Sequence, residues 1–279
     1  MKVAVLSDVH GNLPALEAVS EHIERWAPDR VIMNGDVVNR GPSSVACWDF
    51  VQEHCDRDGW VLAGGNHEAY VANWEREKPR DQARLRTNID QSARWTYEEL
   101  DGRIGDLLSL PACLEVTAPD GSVLRVTHGS MQGQRDGIYP HTPERELAEK
   151  VTPSPAVFCT AHTHKPLLRR WRRTLIVNSG SAGTSFDGDP RISYAQVVWC
   201  KGQWQAEIVR LPYDRRRAAR DFEEEGYLEG GGPLVEIFYT EWRQARPLIN
   251  RWAREYEEAV LAEEISVAAS VREFLAEHG

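Results

Sequence analysis

Three short apolar stretches, each running straight into a loop of glycine and acidic or amide residues, constrain this chain most. Residues 3–6 lead into Asp8-Val9-His10-Gly11-Asn12, residues 30–33 into Asn34-Gly35-Asp36, and residues 60–62 into Gly64-Gly65-Asn66. Apolar runs of this length, bounded by turn signals, read as buried strands. Between the first two, Leu13, Leu16, Val19 and Ile23 recur at helical spacing. Between the second and third, Ser43 or Ser44 can cap a helix carrying Val45, Trp48, Phe50 and Val51. The resulting β-α-β-α-β order implies a largely parallel sheet covered by helices. In such a sheet, ligands gather outside the carboxyl ends of the strands, where all three loops fall.

Residues 67–110 read as mostly helical, with apolar positions at Leu85, Ile89, Trp95 and Leu100. The pattern changes after Pro111. Residues 114–116 and 123–126 flank Asp120-Gly121, a hairpin turn. Residues 157–160, 175–177, 193–199 and 204–209 read as further strands, with Lys201-Gly202 as a turn. The second half is thus expected to form a second, partly antiparallel sheet. The expected fold class is α/β, a four-layer αββα sandwich of two mixed β-sheets with a helical C-terminal extension. From Asp214 the chain is helical and charged, and Gly230-Gly231-Gly232-Pro233 breaks it. Residues 234–279 read as amphipathic helix, with Trp242, Leu248, Trp252, Tyr256, Val260 and Leu261 as packing positions. We therefore expect one domain over residues 1–212 and an extension, 213–279, packed on or beside it.

Charge and cysteine usage narrow the function. A formal net charge of -10 opposes broad binding to nucleic-acid phosphates. It leaves room for a small phosphorylated substrate, because bound cations reverse the local field. The five cysteines form no CxxC pair and suggest neither a disulfide framework nor a zinc ribbon, so reduced thiols in the cytoplasm are expected. No apolar run is long enough to span a membrane, and the first one is too short for a signal peptide. Arg169-Arg170-Trp171-Arg172-Arg173 is a basic cluster with an interleaved aromatic, which we read as a turn between two strands.

Two later stretches, Thr127-His128-Gly129 and Ala161-His162-Thr163-His164, also follow apparent strands, and Glu68 follows Asn66-His67. The donors gathered at these positions are carboxylate, amide and imidazole, with no thiolate. That set suits Mn, Fe, Co, Ni or Zn rather than a soft-metal site. Asp8, His10, Asp36, Asn66, His128, His162 and His164 offer more donors than one tetrahedral ion needs, and they fit two ions sharing a carboxylate. Asp36 is the natural bridge. Taken singly, Asp8 could be a helix cap and Asn66 a turn residue; it is the ordered set that points to metal. Glu68 reads as a helix-start charge.

In this order the blocks resemble the calcineurin-like metallophosphoesterase superfamily, whose signature runs D-x-H, G-D, G-N-H-[D/E], H-G and G-H-x-H. One departure is Ala161 in place of glycine. The resemblance implies that Asp8, His10 and His164 hold one ion, that Asn66, His128 and His162 hold the other, and that Asp36 bridges them. It implies that His67 sits beside the phosphate as the catalytic imidazole. Residues 177–183 look like the N-P-G-S-x-G region of small bacterial and archaeal phosphodiesterases, with Ser179 for proline. Gly35-Asp36-Val37-Val38-Asn39-Arg40-Gly41 is similar to the G-D-x-V-D-R-G block of protein phosphatases and symmetrical dinucleoside-tetraphosphatases, with Asn39 for aspartate. Asn12, Arg40 and Arg135 are expected to contact substrate.

The expected activity is hydrolysis of a nucleotide-type phosphodiester by a metal-bridging hydroxide, with two divalent ions, manganese first among the five. The alternatives are a phosphomonoesterase or protein phosphatase, a dinucleoside-tetraphosphatase and, in another class, a metal-binding interaction module with little turnover. A small phosphorylated or nucleotide substrate is the expected partner, with neither membrane nor nucleic acid; a homo-oligomer is left open.

Overall fold

The computed structural model describes residues 1–74, 91–101 and 103–279; the expected packing positions Leu85 and Ile89 lie outside the described residues. Ten strands are described: β1 Lys2–Leu6, β2 Arg30–Asn34, β3 Val61–Ala63, β4 Cys113–Thr117, β5 Val123–Thr127, β6 Val157–Thr160, β7 Leu167–Trp171, β8 Thr174–Asn178, β9 Ile192–Cys200 and β10 Gln203–Leu211. They form two five-stranded sheets, ordered β10-β9-β1-β2-β3 and β4-β5-β6-β8-β7. In the first, β1, β2 and β3 run parallel, joined by helices α1 (Leu13–Trp26) and α2 (Ser44–Asp58), while β9 and β10 return antiparallel. In the second, β5, β6 and β8 are parallel, and β4 and β7 flank them antiparallel. Both sheets are therefore mixed, as the sequence pattern anticipated.

The strands at the centre are apolar on both faces because both faces are covered. Val3 and Val5 point between the sheets, where they meet Val126, Val157, Cys159 and Val177. Ala4 and Leu6 point the other way, onto Leu16, Val19 and Trp48 beneath α1 and α2. Likewise Phe158, between Val157 and Cys159, turns outward to join Leu147, Trp171 and Ile176. Each fully buried aliphatic side chain of this kind contributes about 1.5–3 kcal/mol. A one-residue slip in register would exchange every one of these environments.

Beyond β10 the chain is helical: Arg215–Glu224, Tyr227–Gly230 and Val235–Gln244, then Ile249–Trp252 running through a π-helical turn, Ala253–Glu257, into Glu258–Leu261, and finally Val267–His278. Residues 234–279 are thus several helices rather than one. The first break falls at Ala245, whose backbone is left-handed with φ 52°. These helices bury a cluster of their own around Phe222, Tyr227, Trp242, Trp252 and Phe274. The Trp252 indole N–H donates to Ser270 Oγ at 3.1 Å, so the ring is buried without an orphaned donor. Leu261, expected to pack, is 37% exposed. The extension leans on the sandwich through Tyr213, which touches both clusters, through Trp95 and through an Arg217–Glu17 ion pair.

The arginine-rich stretch departs from expectation. Arg169, Arg170 and Trp171 form the end of β7, and only Arg172 and Arg173 make the turn. As an edge strand, β7 tolerates charge on its open side. Among the described residues no helix is long and apolar enough to cross a membrane, and all five cysteines are free.

Candidate active site

The carboxyl ends of parallel strands from both sheets bring the polar blocks together. Asp8 and His10 follow β1, Asp36 follows β2, and Asn66 and His67 open helix α3 (Asn66–Ala72) after β3. From the second sheet, His128 follows β5, and His162 and His164 follow β6. The turns that aim these side chains are strained. Asp8, His10, Asp36, His162 and His164 all have left-handed backbones, with φ between 50° and 65°. Such conformations cost about 1–3 kcal/mol each and persist only where surrounding structure imposes them.

That structure is a set of bonds between the loops. Asp8 N donates to Gly35 O at 3.1 Å and His10 N to Asp36 O at 3.0 Å. The buried Glu68 carboxylate accepts from the backbone of Asp36 (2.8 Å), Val37 (2.7 Å), Val38 (3.3 Å) and Gly65 (2.8 Å). It therefore staples the β2 loop to the start of α3. The close approach also explains Gly65, where a Cβ would lie 2.1 Å from Asp36 Oδ1.

Two groups of donors result, each close enough to share one ion. In the first, His164 Nε2 lies 3.3 Å from Asp8 Oδ1 and 3.2 Å from His10 Nε2. In the second, His128 Nε2 lies 3.1 Å from Asp36 Oδ2 and 3.1 Å from Asn66 Oδ1, which His162 Nδ1 approaches at 2.8 Å. Asp36 Oδ2 is also 3.7 Å from His10 Nε2, so its carboxylate touches both groups. With metal–donor bonds of about 2.1 Å, two donors on one ion stand roughly 3.0–3.4 Å apart. The far ring nitrogens are held by carbonyls: His10 by Asn39 O (3.3 Å), His128 by Asn34 O (2.8 Å) and His164 by Thr184 O (2.6 Å). Such bonds fix the tautomer that offers a lone pair to a cation.

The strongest test of fit is Asp8. It is fully buried, and among the described residues neither carboxylate oxygen has a hydrogen-bond partner of ordinary geometry. Leaving a buried carboxylate so is costly unless a cation neutralises it. Burial, with His128 and Asp36 also acting on it, raises the Asp8 pKa to about 7. Burial also lowers His67 to about 3 and His162 to about 4, and it holds His10 and His164 well below the usual imidazole range. Those rings stay neutral and keep their lone pairs. His128 goes the other way: burial lowers it, but the Asp36 carboxylate beside it wins and carries it to about 10. Its proton stands where positive charge is wanted, and ligation would release it.

His67 borders both groups. Its backbone N–H donates to Asp36 Oδ1 at 2.9 Å, and its ring meets the His10 ring edge-on with centroids 4.8 Å apart. Arg40 also flanks the site, its guanidinium lining a cleft with His10 and His164. The other two expected substrate contacts are engaged by neighbouring side chains and backbone. Asn12 Oδ1 caps α1 by accepting from Ala15 N (3.2 Å), and its Nδ2 donates to Gly183 O (2.8 Å) and Tyr213 (3.2 Å), so its polar atoms are occupied. Arg135 is exposed and stacks 4.1 Å above the Tyr70 ring, which in turn meets the His67 ring at 5.3 Å.

Two residues do more than the sequence signals. Glu68 is a helix-start charge, as expected, yet its carboxylate also spans two loops. Asn39 was noticed only as a departure from aspartate. Its Oδ1 accepts from Arg40 N at 2.8 Å, which turns its amide nitrogen toward His67 Nδ1 at 3.0 Å. The amide donates, so the His67 proton sits on Nε2.

Comparison with known proteins agrees with this fold. An uncharacterized protein of Methanocaldococcus jannaschii, MJ0912, is 22% identical over 242 residues, covering 77% of this chain and 89% of its own length. The crystal structure of a metallophosphoesterase from Sphaerobacter thermophilus superposes with a TM-score of 0.66 at 24% identity, covering 88% of this chain and all 100% of that one. The hypothetical protein PH1004 from Pyrococcus horikoshii OT3 does so with a TM-score of 0.71 at 19% identity, covering 85% and 97%. The profile of the calcineurin-like phosphoesterase superfamily domain matches residues 1–202, which is most of the chain, and the protein belongs to that superfamily.

Proposed function

We propose that the protein is a metal-dependent phosphodiesterase acting on a nucleotide-type diester, with residues 1–212 as its catalytic domain and manganese as its ion. The observation that carries this reading is the unpartnered, buried Asp8 carboxylate facing imidazoles that belong to one of two adjoining donor groups. Asp8, His10 and His164 would hold one ion and Asn66, His128 and His162 the other, with Asp36 between them. When bound, such a pair supplies an activated water and neutralises charge on the phosphoryl group. The chain's own part is to position and to donate. His67, neutral and carrying its proton on Nε2, donates a hydrogen bond to a phosphoryl or leaving oxygen. Asn39 keeps that tautomer, and Glu68 keeps the two loops at their spacing. Half-burial of His67 and His162 leaves the site open on their side.

Arg40 favours a second reading, a phosphomonoesterase or dinucleoside-tetraphosphatase, because a guanidinium beside the site rewards a more highly charged phosphate. Manganese-loaded protein assayed against bis-p-nitrophenyl phosphate and p-nitrophenyl phosphate tests both. Faster turnover of the diester is expected. Faster turnover of the monoester supports the second reading, and metal bound without turnover of either would leave a binding module.

A further inference from the structure

The sandwich does not enclose its own site. The cleft beside the first donor group is lined by His10, Arg40, His164, Thr184, Phe238 and Glu241. The last two belong to Val235–Gln244, a helix of the C-terminal extension. Arg40 Nη2 donates to Glu241 Oε2 at 2.7 Å, with the side chains 13% and 1% exposed. The guanidinium carbon lies 4.6 Å from the centre of the Phe238 ring and 5.8 Å from that of Phe186. Phe186 itself stacks on His164 at 4.2 Å.

Glu241 cannot swing away easily. Its other oxygen accepts from Leu248 N (2.6 Å) and Ile249 N (2.8 Å), which fixes the turn into the next helix. Arg40 is therefore gripped at one edge and stacked on one face, and Glu241 is the acceptor of its only side-chain hydrogen bond among the described residues. A guanidinium carries five N–H donors, and among the described residues only the one to Glu241 is committed to a side chain, which leaves hydrogen-bonding capacity for an anion. Arg40 also holds a left-handed backbone, with φ 66°, that places its side chain over this cleft.

We propose that Glu241 is a positioning residue for substrate binding: the C-terminal extension holds Arg40 so that its free N–H groups meet a phosphoryl oxygen beside His10 and His164. This rests on the phosphoesterase reading and extends the phosphate site beyond the sandwich domain. Fixing the side chain in advance removes ordering entropy that the substrate would otherwise have to overcome.

The test is a double-mutant cycle read by calorimetric binding of inorganic phosphate to the manganese-loaded, full-length protein, alongside kcat and KM for the preferred substrate. Arg40→Ala should weaken phosphate roughly 10- to 100-fold, the range of a hydrogen bond to a charged group. Glu241→Gln keeps an acceptor for Leu248 and Ile249 and should weaken phosphate about threefold to tenfold, with a raised KM and unchanged metal content. In the Arg40→Ala background the second substitution should add nothing. Phe238→Leu, which keeps the apolar volume, should weaken phosphate about twofold to threefold, again only when Arg40 is present, and it decides the matter if Glu241→Gln does not fold. Equal losses with and without Arg40 would overturn the inference, as would wild-type affinity in all the variants. If the wild-type protein itself bound no phosphate, the phosphoesterase reading would fall and this inference with it.

Discussion

The sandwich and the C-terminal helices solve opposite problems. At the strand ends of the sandwich, carboxylates and imidazoles are buried on left-handed turns and held by backbone bonds between loops. In the extension, buried space is filled mainly by aromatic side chains, and its buried polar atoms are few: Trp252 Nε1 donates to Ser270 Oγ, while Tyr227 Oη, an uncharged hydroxyl, is buried without a partner among the described residues. One region spends stability to place charge; the other accumulates it by excluding water. Their contact is correspondingly specific: the extension reaches the site through Phe238 and Glu241. The difference teaches that burial alone does not mark a core. Asp8 and Phe274 are both inaccessible to water, and only the unpartnered oxygens of Asp8 call for something more.

The sharpest way to break the comparison is at Asp36, whose carboxylate touches both donor groups. Asp36→Asn should cut turnover by roughly a hundredfold or more and leave less than the full complement of both ions, as elemental analysis would show. Wild-type turnover in this variant would remove Asp36 as the bridge. The opposite experiment is Trp252→Ala. Loss of a large buried aromatic should cost about 3–5 kcal/mol in denaturant unfolding, while the folded fraction keeps its metal. If metal content fell along with stability, the two regions would not be separable in this way.

How much of this was written in the sequence depends on range. The alternation of apolar runs and polar loops is local, and it announced the parallel strands and the positions of Asp8, Asp36, Asn66, His128 and His162. Glu68 was half legible. Its place three residues into a helix is a local signal, but its partners at Asp36, Val37 and Val38 lie 30 to 32 residues upstream. Arg40 and Glu241 are 201 residues apart, and no pattern around either one names the other. β7 was missed because an edge strand needs no apolar alternation on its open side, and its arginines read as a turn. Asn12 was ambiguous because an amide after glycine suits substrate, cap and turn equally; only the fold shows its oxygen bonded to Ala15 N and its nitrogen to Gly183 O.

A milder substitution asks whether the loop bonds matter to the metals. Glu68→Gln retains one acceptor oxygen but turns an N–H group toward backbone donors, a mismatch costing about 1–3 kcal/mol. Because those donors include Asp36 N and Gly65 N, ion affinity should also fall, by roughly tenfold in a metal titration. Loss of stability with unchanged affinity would mean that the staple serves the fold alone.

The smallest effect expected is at Asn39, and it separates holding a metal from aiming a proton. The Asn39 side chain makes no hydrogen bond to Asp8, Asp36 or Asn66 among the described residues, and the carbonyl that holds His10 belongs to the backbone, which a substitution keeps; its amide donates to His67 Nδ1 and its side-chain oxygen accepts from Arg40 N. Asn39→Ala should therefore leave metal content unchanged and lower kcat by roughly twofold to tenfold, the worth of one ordinary hydrogen bond. Asn39→Asp is the informative companion. An aspartate accepts where the amide donates, so it favours the tautomer with the proton on Nδ1 and takes it from the nitrogen that faces substrate. A larger loss of kcat in the aspartate than in the alanine variant is the signature of a tautomer effect. Equal losses would show that Asn39 only fills space, and His67 would then owe its orientation to the backbone bond with Asp36 alone.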